Sequence, residues 1–437
     1  MAGSQPRRRL ALHTKILLAL LLGATAGVAS NIYAGDSPTL TWITDNVAQP
    51  VGQIFLRLLF MIVVPLVFAS VTMGVASLGD LRRIGRVGTK TLLIFLATTA
   101  VAVVVGLMLV NVIRPGESLD PAIRTALMAE YSSEAGEKVV LSEQNRFGIN
   151  TLVNIVPRNP VAAAANGDML GLIFFSLMFG IALTLIAKDT AAPVMRVLEG
   201  VNQAVMVIIG FAMRLAPLGV AGLIFSVTSK FGFDILKSLG LYVVTVLLAL
   251  ALHQFGVIAM IARFVAGIGP RSFFSRARAL MITAFSTSSS NATLPTTIRT
   301  AEENFGVPRE IAGFVLPLGA TMNMNGTAMF EGVTVLFLAQ VFGVQLDLLT
   351  QVIVIVMCVI TAIGVAGVPS GSIPLLVMVL GMVGVPGEGI ALILGVDRIL
   401  DMARTVPNVT ADLLTSLLVA KSERLPLVVP ARQENAA

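Results

Sequence analysis

The chain has 437 residues, of which 56% are hydrophobic and only 12% charged, with a formal net charge of +6. Soluble domains carry roughly a quarter charged residues, so this composition excludes a soluble globular protein. Two His and one Cys also exclude a disulfide framework and a His/Cys metal cluster, and the basic excess lies in short loops, which implies membrane orientation and no nucleic acid.

Arg7, Arg8 and Arg9 precede an apolar run from Ile16 to Ala34. This segment also resembles a secretory leader ending in Ser-Asn-Ile-Tyr-Ala, but its apolar stretch outruns the usual core and reads as a retained first span. Trp42, the single tryptophan, lies beside the first outer loop as a headgroup anchor. A second run, Leu58 to Leu78, leads to Arg82, Arg83, Arg86 and Lys90, which mark a cytoplasmic loop. A third runs from Leu92 to Ile113. The following segment, Arg114 to Arg146, carries six acidic residues against four basic and is placed outside. It belongs to a long polar excursion over residues 114–167 that includes Asn159-Pro160. Met169 to Ala187 is the next span, and residues 191–233 hold an apolar helix interrupted by Pro217. After Leu239 to Ala262, the residues Arg263, Arg271, Arg276 and Arg278 return the chain to the cytoplasm. Both termini are therefore expected on the cytoplasmic side of a plasma (cell inner) membrane.

From Arg271 onward, polar clusters interrupt apolar stretches at membrane depth: Ser286 to Asn291, Asn323 to Thr327, Gly367 to Ser372, and Asp397 to Asp412. Such backbone persists in a bilayer only when it is buried in protein or lines a wet cavity. Ser286–Asn291, closed by Pro295, and Gly367–Ser372, closed by Pro374 within the run that starts near Gln351, read as the tips of two re-entrant hairpins. Each is followed by a helix with polar interruptions. That repetition points to inverted repeats with a binding site near the midplane.

The last helix, from Ile390 to about Leu418, carries Asp397, Asp401, Arg404, Thr405, Asn408 and Asp412. At 3.6 residues per turn these fall in a stripe roughly 100° wide. Charges at that depth are costly unless paired or hydrated. The bland explanation is a set of ion pairs that join helices, to which Arg398 would contribute. The functional one assigns chemistry by type: Arg404 grips a solute carboxylate in bidentate fashion, Asp401 takes an ammonium group, and Asp412 with Asn408 supplies hard oxygen ligands to an alkali cation. Asn323-Met324-Asn325-Gly326-Thr327 offers a second oxygen-rich cage, with a polar kink between two helices as its rival. Ser289 and Ser290, and Ser372 of the second tip, are candidate substrate contacts, because half-helix N-termini present free N–H groups to an anion. Close packing of small residues is the competing account. Glu331 lies four residues after Thr327, and a lone carboxylate at membrane depth is a proton-carrier candidate, or else half of a fixed salt bridge.

Ser-Thr-Ser-Ser-Ser-Asn-Ala-Thr-Leu-Pro (286–295), Pro-Leu-Gly-Ala-Thr-Met-Asn-Met-Asn-Gly-Thr (317–327), Ala-Gly-Val-Pro (366–369) and Asp-Met-Ala-Arg-Thr-Val-Pro-Asn-Val-Thr-Ala-Asp (401–412) resemble the dicarboxylate/amino acid:cation symporters, the excitatory amino acid transporter family. The resemblance implies an all-α membrane protein of eight transmembrane helices plus two re-entrant hairpins, assembled as a homotrimer in lipid and working as an elevator. It divides the chain into scaffold spans 1 and 2 (1–80), transport-domain span 3 (81–113), the outer excursion (114–167), scaffold spans 4 and 5 (168–234) and a transport core (235–437). That core holds hairpin 1 at about 271–297 and hairpin 2 at about 350–381. It implies that Arg404, helped by Thr327, binds the substrate side-chain carboxylate, that Asp401 takes the amino group, and that Thr405, Asn408, Ser290 and the Val368 backbone hold the main-chain carboxylate. Sodium sites are implied at Asn323, Asn408, Asp412 and the Gly319 carbonyl; at Thr321, Met324 and carbonyls near Ala362, Ile363 and Val365; and at Thr98, Thr99, Asn323 and Asn325.

Departures from the family pattern bear on coupling. Asn325 stands where the family usually has Asp, and Phe95 where an aromatic hydroxyl often helps, which implies fewer than three Na+ sites. A carboxylate at Glu331 resembles proton-linked members, so H+ joins Na+ as a candidate driving ion. Arg398 supplies a charge that some members carry in the first hairpin, and Pro407 frees the Ala403 carbonyl. The expected substrate is glutamate or aspartate. A C4-dicarboxylate such as succinate, malate or fumarate is the alternative, disfavoured because Asp401 would repel a second anion. An ion channel would also use such clusters. An intramembrane hydrolase would need a base, yet His13 and His253 are the only histidines and no Gly-x-Ser-x-Gly elbow exists, so no enzyme activity is expected.

Overall fold

The computed structural model describes residues 12–35, 37–119, 125, 156–166, 168–364 and 370–427. Among the described residues the chain forms helices and no strand, as an apolar sequence must when each segment closes its own backbone hydrogen bonds.

The first helix, α1 (Leu12–Ala34), is followed by a long bent run. Its parts are α2 (Pro38–Ile43), a widened turn at Thr44–Ala48, α3 (Gln49–Phe60) and α4 (Val63–Ile84). Ser37 starts this run by accepting from the Leu40 amide at 3.2 Å, with Pro38 at the first helical position. The sequence expectation of one span at Leu58–Leu78 is thus extended toward the N-terminus. Helix α5 (Arg86–Ile113) ends in a 3-10 turn at Pro115–Ser118, and only the edges of the polar excursion fall within the described residues. The chain resumes with α6 (Pro160–Ala165), capped by Asn159, and α7 (Met169–Leu185).

One expectation is corrected by α8 (Lys188–Phe231): the helix runs through both Pro193 and Pro217 without a break. Proline removes one N–H and crowds the carbonyl four residues earlier, which bends a helix without necessarily ending it. At 1.5 Å per residue this element is about 66 Å long, twice the hydrocarbon thickness. After α9 (Asp234–Leu252), the same run continues through widened turns at His253–Val257 and Ala262–Ala266, on either side of α10 (Ile258–Ile261). A short α11 (Pro270–Arg276) leads to a helical hairpin of α12 (Arg278–Thr287) and α13 (Ser290–Arg299). A broken span follows, α14 (Arg309–Met322) and α15 (Asn325–Phe342). Next come α16 (Leu348–Gly364) and α17 (Ile373–Met382), and finally α18 (Ala391–Ser422).

Two packing groups emerge. Helices α1, α3 and α4 lie on α8, and α7 on α4. Helices α12, α14 and α15 lie on α18, with α5 against α15. The groups meet where α1 and α8 touch α18. Among the described residues, five helical runs are long and apolar enough to cross a membrane: Thr14–Ala34, Pro38–Ala76, Arg86–Ser118, Lys188–Phe231 and Asp234–Ala266. The first of these exposes most of its surface, with Leu21, Leu22 and Ile32 turned outward. By contrast, α15 is buried from Asn325 to Ala339, so it is the central post of the second group.

Candidate functional site

The polar stripe of the last helix faces inward. Asp397, Asp401, Arg404, Thr405, Asn408 and Asp412 are all buried, while Arg398, Ile399, Met402, Ala403 and Val406 on the other side are partly exposed. The polar stripe is thus buried as its 3.6-residue period predicts, while Leu400 and Val409, from the apolar remainder of the helix, are buried as well.

Arg404 is only 1% exposed. Its Nη1 donates to Asp397 Oδ1 at 3.1 Å, and its Nε and Nη2 donate to Asp401 Oδ1 at 3.0 and 2.8 Å. The guanidinium also lies over the Phe330 ring, 4.1 Å from the centroid, a cation–π contact on α15. Among the described residues both ionic partners of Arg404 sit on its own helix, so these pairs tie no second helix to α18. Arg398 adds a longer contact, 3.4 Å from Nη1 to Asp401 Oδ2. With two guanidiniums facing two carboxylates, this cluster is balanced.

The link to another element is Ser370, beside Ser372 in the turn before α17. Its backbone N–H donates to Asp401 Oδ2 at 3.0 Å and its hydroxyl to Asp397 Oδ2 at 3.2 Å. Ser370 holds φ at +59°, a left-handed conformation that costs a non-glycine residue energy and is kept by surrounding contacts. Ser372 is buried and its Oγ has no hydrogen-bond partner. Val365 and Val368 lie outside the described residues.

The turn between α12 and α13 falls inside Ser286–Asn291 and takes two residues only: Ser288 in left-handed conformation (φ +51°) and Ser289 extended. Helices continue through Thr287 and from Ser290. The Ser289 hydroxyl is used locally, accepting from the Ala292 amide at 3.1 Å. Ser290 is buried, and the buried Ser288 Oγ is unpartnered. Ser288, in the turn between α12 and α13, and Ser372, in the turn before α17, are thus two buried hydroxyls with unused bonding capacity, which natural proteins rarely leave unexplained.

Asn323 and Met324 break the span between α14 and α15, and α18 fills the break. Gly326 packs so closely there that a Cβ would collide with the Arg404 carbonyl oxygen, and at Gly319 a Cβ would strike the Asp412 carboxylate. Asn408 Oδ1 accepts from the Gly326 and Thr327 amides at 2.7 and 3.3 Å, capping the start of α15, and its Nδ2 donates to Thr327 Oγ1 at 3.0 Å. Its Nδ2 also lies 3.5 Å from Met324 Sδ. Asn408 therefore does structural work that the spacing did not predict. Thr405 turns its hydroxyl to the Asp401 carbonyl at 2.7 Å.

Around the break, two asparagines make parallel arms. Asn323 Oδ1 accepts from Thr98 at 3.5 Å and its Nδ2 donates to Asp412 Oδ1 at 2.8 Å. Asn325 Oδ1 accepts from Thr99 at 2.7 Å, and its Nδ2 faces His253 Nε2 at 3.5 Å. The structure thus gathers Thr98, Thr99, Asn323, Asn325 and Asp412, with Gly319 alongside, into one buried oxygen-rich cluster. Thr321 behaves differently: it is exposed and bonds back to the Leu318 carbonyl at 3.0 Å. Among the described residues no hydrogen bond joins it to buried Met324 or to Ala362 and Ile363. Glu331 is fully buried; its Oε2 accepts from the Thr361 hydroxyl of α16 at 2.7 Å, and Oε1 has no partner. The salt bridge considered as its alternative role is not formed among the described residues.

Sequence reasoning missed His253 and Gln254, buried neighbours in the widened turn that follows α9. The available signal was two adjacent polar residues inside the Leu239–Ala262 apolar run, where such residues mark function.

The profile of the Sodium:dicarboxylate symporter family matches residues 12–422. The chain is 36% identical over 417 residues to a proton/sodium-glutamate symport protein of Geobacillus stearothermophilus, covering 95% of each chain. It is 35% identical to a proton/glutamate-aspartate symporter of Escherichia coli strain K12, covering 95% of this chain and 93% of the relative. A C4-dicarboxylate transport protein of Deinococcus deserti is 32% identical, with 94% and 89% covered.

Proposed function

From the premise that the chain belongs to the sodium:dicarboxylate symporter family, and is thus a cation-coupled integral membrane transporter and not an enzyme, we propose that it takes up glutamate or aspartate. The observation that carries this reading is Arg404, fully buried on the inward face of α18 with both of its ionic partners on its own helix.

An incoming side-chain carboxylate replaces Asp401 or Asp397 on the guanidinium, exchanging one charge-assisted pair for another. The carboxylate so released is then free for the substrate ammonium. Asp401 is the better candidate, since two of the three Arg404 bonds end on it. Thr327, Thr405, Asn408, Ser289, Ser290, Ser372 and the Val368 backbone are proposed to complete the substrate site. The charge count supports symport. Arg404 and Arg398 balance Asp397 and Asp401, so a substrate of net charge −1 leaves an excess negative charge that a co-transported cation offsets. Asp412, buried with Asn323 as its hydrogen-bond partner, is the proposed anchor of a sodium site with Asn323, Asn408 and Gly319. Thr98, Thr99, Asn323 and Asn325 are proposed to hold a further ion. Thr321, exposed in this conformation, makes its own proposed site with Met324, Ala362, Ile363 and Val365 the weakest, in keeping with fewer than three sodium ions. Glu331 is the proposed proton carrier.

The division of the described helices into two packing groups supports a scaffold and a transport domain with elevator-type alternating access. Eight spans, two re-entrant hairpins, a homotrimer and cytoplasmic termini in the plasma membrane belong to the same proposal. The test is uptake of radiolabelled aspartate and succinate into proteoliposomes, with sodium and proton gradients imposed separately. Aspartate is expected to outcompete succinate. The reverse ranking would move the assignment to C4-dicarboxylates, the substrate class in the Deinococcus deserti relative's name.

A further inference from the structure

The break between α14 and α15 holds two asparagines in matching roles. Each amide oxygen accepts from a threonine hydroxyl on α5, and each amide nitrogen is directed to a side chain on another helix. For Asn323 that partner is Asp412 on α18. For Asn325 it is His253, at the end of α9. Asn323 donates from Nδ2 to Asp412 Oδ1 at 2.8 Å, since an amide nitrogen only donates and the carboxyl oxygen it meets accepts. Asn325 lies between the Thr99 hydroxyl and the imidazole in the same way: with Oδ1 turned to Thr99, Nδ2 donates to Nε2, a direction that requires the Nδ1–H tautomer of His253.

The local backbone is built for this contact. The helix widens by one residue per turn at His253–Val257, a deviation often found at functional sites. It turns two consecutive polar side chains inward, His253 at 0% and Gln254 at 3% exposure. Gln254 Nε2 reaches Thr410 Oγ1 at 3.2 Å and Met281 Sδ at 3.5 Å. His253 keeps Nδ1 without a partner, and Gln254 keeps Oε1 likewise. Burying these polar atoms is costly in an apolar interior, which argues that the imidazole is retained for what Nε2 does.

Resting on the symporter reading above, we infer that His253 is a positioning residue for the cation cluster, holding the Asn325 amide with its oxygen turned toward Thr99 on α5. The imidazole adds no charge to the cluster and no ligand of its own. It sets the direction of the Asn325 oxygen dipole, as second partners commonly orient ion ligands. The Nε2 contact is long at 3.5 Å, so its loss relaxes the amide and leaves the fold in place. The expected consequence is weaker sodium dependence with the substrate site intact.

The experiment uses the full-length protein in proteoliposomes, with radiolabelled aspartate uptake measured against sodium and against aspartate separately. His253→Leu is expected to raise the sodium concentration for half-maximal uptake about fivefold. The aspartate half-saturation at saturating sodium should stay within twofold. His253→Gln, whose amide reaches the Nε2 position, should restore sodium dependence to within twofold of wild type. His253→Asn, which is too short, should behave like His253→Leu and replaces it should the leucine variant fail to fold. Wild-type sodium dependence in both His253→Leu and His253→Asn, a parallel shift in aspartate affinity, or equal behaviour of the Gln and Asn variants would overturn the inference. Wild-type uptake that responds to protons and not to sodium would also overturn it. Wild-type uptake that responds to neither gradient would instead refute the symporter reading itself, and the control shows this before any variant is compared.

Discussion

Replacing Asp401 by Asn tests how the site distinguishes an acidic amino acid from a dicarboxylate. The two side chains have the same shape, so α18 keeps its packing, but one negative charge is removed from a cluster in which two guanidiniums face two carboxylates. Arg404 retains Asp397 at 3.1 Å, and the site gains a net positive charge. Two unit charges 4 Å apart interact by about 4 kcal/mol at an effective dielectric constant of about 20, which is close to three decades in affinity. Asp397 takes over part of the attraction for an ammonium group, so a change of about a hundredfold in relative preference is the expected outcome. The substrate ammonium loses its partner while a second carboxylate loses its repulsion, and both effects act in the same direction. The assay is inhibition of radiolabelled aspartate uptake by unlabelled aspartate and by succinate, in wild type and variant. A ratio of inhibition constants that shifts by less than threefold would refute the assignment of Asp401 to the amino group.

Asn408→Ala removes the acceptor of two amides at the start of α15. It should lower stability by about 1–2 kcal/mol and weaken uptake, read as a drop in the thermal midpoint of the purified protein. Gly326→Ala places a methyl against the Arg404 carbonyl and should abolish uptake even where the protein reaches the membrane. At the end of α18, Glu423 accepts from Lys90 at 2.7 Å and from Arg86, and these hydrogen bonds, led by Arg86, hold its carboxyl below the ordinary range. A depressed folded value stabilises above the unfolded pKa and is lost as pH falls through the folded one. Glu423→Gln should therefore lower the thermal midpoint at neutral pH, and the difference should vanish in acid. Ser370→Ala removes the hydroxyl on Asp397 while keeping the backbone N–H on Asp401. It should change aspartate affinity severalfold with sodium dependence unchanged, measured by the same uptake assay.

Much of this site was legible from residue order because a helix converts sequence spacing into direction. The offsets of Asp397, Asp401, Arg404, Thr405, Asn408 and Asp412 predicted one face, and that face is buried. Asn323–Thr327 was legible as an interruption and Ser286–Asn291 as a turn, because polar residues interrupt an otherwise apolar stretch, but the structure confines the break to Asn323 and Met324 and the turn to Ser288 and Ser289. Long-range partners were not legible. Nothing in the local spacing joins Asn408 to the amides of residues 326 and 327, about 80 positions away, or His253 to Asn325. The unbroken course of α8 through Pro217 likewise depends on neighbours, because packing along a long helix compensates for one missing hydrogen bond. Arg404 was expected to face a solute. The structure instead pairs it with Asp397 and Asp401, since a buried guanidinium in the state described must be neutralised by whatever is nearest.

The most direct measurement compares wild type with Arg404→Gln in proteoliposomes, following radiolabelled aspartate accumulation under an imposed inward sodium or proton gradient. Wild type should concentrate aspartate under at least one gradient and lose this when the gradient is collapsed, and Arg404→Gln should fall to the level of empty liposomes. Equal, gradient-driven accumulation by the two proteins would contradict the account.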